Sequence, residues 1–224
     1  MNVDSVLFSM RLSFQVALVA TVFTVLFGCI FAYLLARRSF PGREGLDVLL
    51  TLPLVLPPTV TGYILLVLFG AGGLLGKYIY DLTGYTLMFT WQAAALCSFV
   101  VSMPLMYKTA RAAFESVDIR LIQASYTLGH SELRTVFSVI LPLSRRGIIA
   151  GTILAFARAL GEFGATLMLA GNIPGKTDTM PLAIYADVAT GEWSRAWGMV
   201  VLFALMSAAF LYAANKLAGN QRWV

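Results

Sequence analysis

The sequence predicts an all-α integral membrane protein with about five transmembrane helices. Hydrophobic residues make up 59% of the 224 residues and charged residues only 12%, whereas about 25% of the residues in a soluble domain are charged. The mean hydropathy is +0.80. Long apolar runs recur between short polar connectors, and we expect one transmembrane domain over residues 1–224.

The first predicted span covers residues 12–36 and contains no charged residue. As a helix it would be about 37 Å long at about 1.5 Å per residue, enough to cross a hydrocarbon core of about 30 Å. Arg37, Arg38 and Arg43 follow in a short basic loop.

The second predicted span covers residues 46–70 and contains Pro53, Pro57 and Pro58. Proline removes a backbone hydrogen bond and bends a helix. Two interpretations stay open. The span is either a kinked helix packed against its neighbours, or a broken segment whose freed carbonyls and threonine hydroxyls line a path.

The other predicted spans cover residues 87–107, 148–170 and 197–217. Two polar connectors, residues 71–86 and 171–195, separate them from their neighbours. A short tail that contains Arg222 ends the chain.

The distribution of basic residues predicts the orientation. The loops at 37–45 and 108–147 carry nine Lys or Arg residues, whereas the connectors at 71–86 and 171–195 carry three. Because basic loops stay in the cytoplasm, the 108–147 loop is predicted to be cytoplasmic. The N-terminus is then outside and the C-terminus inside.

The longest charged stretch, residues 108–147, is predicted to hold two short helices. Asp118 is a good N-cap for the first, and Gly129 can take the left-handed conformation that ends it. Ser131 is the second N-cap, and Pro142 is predicted to close the second helix. Two capped amphipathic helices favour contact with another protein, and a solvated helical loop is the alternative.

Arg158 and Glu162 are ionisable residues inside a predicted span, four residues apart and therefore on one helix face. A charge at the membrane centre costs about 2.5–3.5 kcal/mol on insertion scales, so each needs a partner or a water-lined cavity. They either form a neutral pair that fixes helix packing, or lie near a translocation path or a dimer interface.

The sequence predicts no catalytic, cofactor or metal site. His130 is the only histidine, and Cys29 and Cys97 lie inside apolar runs, so ligand spacing for a metal is absent. The run from Ala170 to Thr177 falls one glycine short of a phosphate-binding loop and lacks a preceding strand. The net charge of +5 is not by itself a sign of nucleic-acid binding.

The charged stretch resembles the EAA loop of ABC-transporter permeases, which reads Glu-Ala-Ala, three residues, Gly, nine residues, Ile, one residue, Leu-Pro. Seven residues of this chain fall on those spacings: Gln123, Ala124, Ser125, Gly129, Val139, Leu141 and Pro142. Gln replaces Glu, Ser replaces the second Ala, and Val replaces Ile. In that family the loop is the coupling helix that docks into a groove on a cytoplasmic ATPase.

Other segments are similar to the molybdate branch of these permeases: Arg38–Gly42, Leu52–Pro58, Ala155–Arg158, Gly161–Ala165 and Gly171–Gly175. The resemblance implies a type I importer permease fold in the bacterial inner membrane. It also implies a homodimer that works with two copies of an ATPase and a periplasmic molybdate-binding protein, with ATP hydrolysis on the separate ATPase chain. Tungstate or sulfate as cargo is an alternative, and an ion-driven secondary transporter is a further one.

Such a carrier needs a polar path, because a dianion cannot cross hydrocarbon unaided. The path is expected to open by alternating access and to be lined by hydroxyls and helix ends. The candidates within predicted spans are Thr59, Thr61, Ser98, Ser102, Thr152, Arg158 and Glu162.

Overall fold

The computed structural model describes residues 3–219, which are mainly helical and contain no β-strand. The all-α fold class is confirmed, and the predicted tail at Arg222 lies outside the described residues. In chain order the elements are α1 (Val3–Arg37), α2 (Arg43–Val55), α3 (Pro58–Phe69), α4 (Gly76–Thr83), α5 (Trp91–Glu115), α6 (Ile119–Thr127), α7 (Glu132–Thr135), a π turn (Val136–Ile140), α8 (Leu141–Leu160), α9 (Gly164–Leu169), α10 (Met180–Ala189) and α11 (Trp193–Gly219).

Four helical stretches within residues 3–219 are long and apolar enough to cross a membrane, and α2 with α3 brings the number to five if the pair counts as one span. The four stretches are Asp4–Arg37, Trp91–Glu115, Glu132–Leu160 and Trp193–Lys216.

Small residues let the three central helices α1, α5 and α8 approach closely. A Cβ added at Gly28 of α1 would lie 2.7 Å from Met106 Cγ in α5, and one at Gly151 of α8 would lie 2.9 Å from Met106 Sδ. Close backbone approach is how membrane helices gain packing contacts where lipid supplies no hydrophobic driving force.

The second predicted span is broken into α2 and α3, and the chain bends by 120° between them. Leu56 and Pro57 separate the two helices in extended conformations, with ψ of 139° at each. A residue before proline is pushed out of the α region, so Pro57 and Pro58 each force the preceding residue to leave the helix. The structure therefore has the broken segment and not the kinked helix.

The fourth predicted span, residues 148–170, is likewise not continuous. α8 ends at Leu160, Phe163 has non-helical φ and ψ of −130° and −62°, and α9 begins at Gly164. We call residues 161–163 the α8–α9 break. The sequence predicts a single span here because apolar residues lie on both sides of the break, although Glu162 lies within it.

The second halves of the two broken spans, α3 and α9, pack directly on each other. A Cβ at Gly62 would lie 2.6 Å from Ala165 Cα, and one at Gly164 would lie 3.1 Å from Pro58 Cβ and 3.2 Å from Thr59 N. Glycine is therefore required at position 62 for the backbones to come this close, and at position 164 a larger residue would make a tight contact.

The connector at 171–195, which the sequence predicts to be polar, contains the apolar helix α10, whose Met180 and Leu182 are fully buried. Hydrogen bonds attach it to α1: the Met180 N–H donates to Ser13 Oγ at 2.7 Å, and Ser9 Oγ donates to Asp178 Oδ2 at 3.2 Å. Burial raises the pKa of the Asp178 carboxyl above its usual range, despite the hydrogen bonds it accepts.

The close contact between α3 and α9 predicts that replacing Gly62 lowers the stability of the protein. Gly62→Ala should destabilise the protein by about 1–3 kcal/mol, because the new methyl group meets backbone atoms that cannot move aside. The matched control is Gly45→Ala on α2, where nothing lies within 4 Å of an added Cβ. Alanine there should be neutral or stabilising by up to about 1 kcal/mol. Thermal unfolding of both purified variants checks this, and equal midpoints would contradict the described packing.

Candidate functional site

The first helix of the charged stretch, α6, begins and ends where the sequence predicts. Asp118 accepts a hydrogen bond from the Arg120 N–H at 2.9 Å. At the other end Gly129 has φ of 80°, its N–H donates to Tyr126 O at 2.9 Å, and the His130 N–H donates to Ser125 O at 3.2 Å. This pair of bonds is a Schellman motif, so the turn after α6 depends on the left-handed glycine.

The second helix also begins as predicted, because the Ser131 side chain accepts from the Arg134 N–H at 3.4 Å. Its predicted end at Pro142 is wrong. The Leu141 N–H bonds to Val136 O, five residues back, and Pro142 lies in the first turn of α8, where its missing N–H costs little. The wider π turn lets the chain pass the proline, and the helical path runs on from Glu132 to Leu160.

The residues that match the EAA pattern divide into an outer and an inner set. Gln123, Ala124, Gly129 and Pro142 are exposed, Val139 and Leu141 are half-buried, and Ser125 is buried. The outer set leaves one side of α6 open to solvent or to a partner.

Large apolar side chains are exposed next to these positions. Leu133 is 72% exposed and Phe137 is 69% exposed, and their spacing of four places them on one helical face. Leu128, at the end of α6, is 76% exposed. Exposed apolar side chains grouped within a charged stretch are typical of a protein contact surface. We call Leu128, Leu133 and Phe137 the apolar patch.

Buried hydroxyls join α6 to α7. Ser125 Oγ lies 2.9 Å from Thr135 Oγ1 and 3.1 Å from His130 Nδ1. The resemblance places Ser125 at the second alanine of the EAA pattern, and the structure gives this residue a further role. Ser125 is the centre of a hydrogen-bond network, and His130 is half-buried beside it. The sequence signal for this network would have been three residues that can form hydrogen bonds close to Gly129, namely Ser125, His130 and Thr135.

An ion pair connects the charged stretch to α1. Arg38 Nη2 lies 2.6 Å from each carboxylate oxygen of Glu132, and Tyr33 Oη donates to Glu132 Oε1 at 2.9 Å. Both charged side chains are substantially exposed, so the pair contributes little to stability. It does fix where α7 lies relative to the end of α1. Glu132 could not be predicted as a site residue, because it is far from Tyr33 and Arg38 in sequence.

Arg158 and Glu162 are close together, but they do not share a helix. The Arg158 Nη1 to Glu162 Oε2 distance is 2.7 Å, while Glu162 lies in the α8–α9 break beyond the last residue of α8. The other oxygen, Glu162 Oε1, accepts the Ala165 N–H at 2.8 Å. The Glu162 side chain is 1% exposed and that of Arg158 is 30% exposed.

The hydroxyl candidates for a path differ in their surroundings. Thr61, Ser98 and Ser102 are buried in helix packing, Thr152 is half-buried, and Thr59 is exposed. Ser102 Oγ donates to Ser98 O at 2.7 Å and lies 3.0 Å from Thr24 Oγ1. Of these five, only Thr59 is open in this conformation, and it lies against Gly164 at the start of α9.

Residues 3–219 contain no group of His, Cys, Asp or Glu side chains that could hold a metal ion. The stretch that falls short of a phosphate-binding loop follows helix α9. It forms a turn in which the Gly175 N–H donates to Asp178 Oδ1 at 2.9 Å.

Residues 10–220 match the family described as binding-protein-dependent transport system inner membrane component. The molybdenum transport system permease protein ModB of Escherichia coli K12 is 48% identical over 87% of this chain and 86% of its own. The putative molybdenum transport system permease protein YvgM of Bacillus subtilis is 42% identical over 90% and 88%. The sulfate transport system permease protein CysT of Salmonella typhimurium is 32% identical over 92% and 74%.

Solved structures share the fold at low sequence identity. The inward-facing methionine ABC transporter MetNI superposes with a TM-score of 0.75 at 14% identity, covering 96% of this chain and 95% of that one. A bacterial alginate ABC transporter, solved with a pentasaccharide-bound periplasmic protein, has a TM-score of 0.78 at 12% identity, covering 95% and 77%.

The left-handed conformation of Gly129 predicts that replacing this residue loosens α6 and α7. Gly129→Val should raise hydrogen exchange at the amides of residues 119–135, because a β-branched residue is strained at positive φ. Gly129→Asn is the matched control, since asparagine tolerates this conformation. Mass spectrometry of exchanged peptides measures the difference. Protection in the valine variant equal to that of the asparagine variant would show that the turn does not hold α6 and α7 together.

Proposed function

The chain belongs to the family of binding-protein-dependent transport system inner membrane components, and on that premise we propose that it imports molybdate. It is a multi-pass permease subunit of an ABC importer with the type I permease fold. The observation that carries the proposed cargo is the 48% identity, over nearly the whole chain, to a molybdenum transport permease. In the proposed cycle a periplasmic binding protein delivers molybdate, and a separate ATPase drives its passage to the cytoplasm.

The proposed ATPase-coupling surface consists of α6, the Gly129 turn, the apolar patch and the Leu141–Pro142 segment. Gln123, Ala124, Gly129 and Pro142 are exposed on it, whereas Ser125 is buried and Leu141 is half-buried. The apolar patch gives a partner a surface to bury, which is the main source of affinity in protein contacts. Two ATPase copies would meet two copies of this chain, one coupling surface each.

The proposed orientation puts this surface in the cytoplasm, where ATP is available. It is supported by the six basic residues of the 108–147 stretch and the three of the 37–45 loop. The N-terminus is then periplasmic and the C-terminus cytoplasmic.

The continuous helical path from Glu132 to Leu160 suggests how movement could travel. A shift of α7 with the ATPase is carried along α8 toward the α8–α9 break, and the Glu132–Arg38 pair carries it to α1. Alternating access then follows as the packed helices open on one side and close on the other. The proposed path candidates are Thr59, Thr61, Ser98, Ser102, Thr152, Arg158 and Glu162.

Two alternative cargoes are of the same chemical class. Tungstate is a tetrahedral dianion like molybdate, and a sulfate permease is 32% identical to this chain. The identity favours molybdate over sulfate.

The proposed coupling surface predicts the effect of charged substitutions on binding of the ATPase. Leu133→Asp combined with Phe137→Asp should abolish co-purification of the ATPase subunit, because two charges would replace apolar side chains that the partner is proposed to bury. The matched control is Leu82→Asp on α4, which alters an equally exposed leucine in the connector assigned to the opposite side. It should leave co-purification unchanged. Retention of the ATPase by the double variant would refute the proposed coupling surface.

The proposed function also predicts the energy source and the cargo of the transporter. Proteoliposomes that hold the complete transporter and its binding protein should take up radiolabelled molybdate only with ATP inside, the compartment that is cytoplasmic when the binding protein is outside. Uptake should persist when ionophores collapse ion gradients. An equal concentration of tungstate should reduce uptake about twofold, and sulfate should have little effect. Uptake driven by a gradient without ATP would indicate a secondary transporter, and equal competition by sulfate would indicate a sulfate importer.

A further inference from the structure

We propose that Arg158 contacts the oxyanion during passage and that Glu162 is the positioning residue that keeps this contact weak. The inference rests on the proposed function and assigns different roles to two of the path candidates. The ligand class is a tetrahedral oxyanion with two negative charges.

The position of Arg158 is the first argument. It lies near the end of α8, two residues before the chain leaves the helix, in a stretch apolar enough to span a membrane. On the same side of α8 lie Ala150 and Leu154, which are exposed, and Gly161 continues this open face. A charged group is expelled from hydrocarbon, so a face that presents a guanidinium borders water or protein and not lipid.

The way Glu162 is held is the second argument. One carboxylate oxygen accepts the Ala165 N–H at 2.8 Å, and the other lies 2.7 Å from Arg158 Nη1. The Glu162 side chain is 1% exposed. Its hydrogen bond to Ala165 attaches it to α9, and α9 packs closely on α3. Glu162 therefore determines where the guanidinium can lie.

The guanidinium keeps unused donors, which is the third argument. Although Nη1 is in ionic contact with Glu162 Oε2, that oxygen accepts no well-directed hydrogen bond from a described residue. A guanidinium has five N–H donors in a planar fork that suits paired anion oxygens. The 30% exposure of the Arg158 side chain leaves its donors accessible.

The opposite charges explain why a carrier would have both residues. An unopposed arginine in a site of low dielectric would hold a dianion tightly, and tight binding would stop the cargo from leaving. A carboxylate 2.7 Å away cancels most of that attraction while leaving the directional donors in place. A pair that only fixed packing would need neither an exposed guanidinium nor a carboxylate placed in a break between helices.

The experiment uses the complete transporter in proteoliposomes with radiolabelled molybdate. The main variant is the double change Arg158→Gln and Glu162→Gln. It removes both charges, leaves no buried unpaired charge and keeps an oxygen for the Ala165 N–H. ATPase stimulation by the loaded binding protein should stay within about twofold of wild type, while molybdate imported per ATP falls at least tenfold. The matched control is Asp47→Asn, which removes another ion-paired carboxylate, held by Lys108 and Arg111, and should leave this ratio unchanged.

The single variant Glu162→Gln tests the positioning role. With Arg158 unopposed, the transporter should retain at least fivefold more molybdate in a filter-binding assay without ATP, and its import should slow. A purely structural pair predicts the opposite pattern: wild-type import by the double variant and unchanged retention by the single one. Either result would overturn the inference. Absence of molybdate import by the wild-type transporter would instead refute the proposed function itself.

Discussion

The backbone polar groups at two interrupted helices set the main constraint on this fold. Hydrocarbon offers no hydrogen bonds, so a helix can stop inside a membrane only where protein covers the exposed N–H and C=O groups. Here the halves that follow the interruptions, α3 and α9, cover each other, and Gly62 and Gly164 allow that contact. Glu162 closes one remaining gap by accepting the Ala165 N–H. The buried charge of Glu162 therefore lies in the α8–α9 break, where the regular helix ends.

The charged stretch and the membrane helices form one mechanical unit. Because the π turn carries the chain past Pro142, α7 and α8 share a continuous helical path. The Arg38–Glu132 ion pair adds a second connection, to α1. A partner that moves the apolar patch therefore acts on two central helices at once.

Features determined by neighbouring residues could be predicted from the sequence. Asp118, Gly129 and Ser131 were identified as caps because capping needs only a side chain or a left-handed glycine within a few positions. The low content of charged residues and the long apolar runs predicted the fold class. Contacts between distant residues could not be predicted: the Ser125 network, the Glu132–Arg38 pair and the position of Glu162 outside its helix. The predicted helix end at Pro142 is wrong, because the π turn before this proline lets the helical path continue.

The turn around Gly129 has a consequence for how such transporters diversify. Its caps, its glycine and its buried hydroxyls all lie between Asp118 and Thr135, so its shape is encoded almost entirely within 18 consecutive residues. Glu132 reaches outside this stretch to Tyr33 and Arg38, and Ile122 packs in a hydrophobic cluster that includes Leu35 of α1 and Phe114 of α5. Transplanting this piece of chain between homologous subunits would therefore require the tyrosine, the arginine and the apolar neighbours of Ile122 to travel with it.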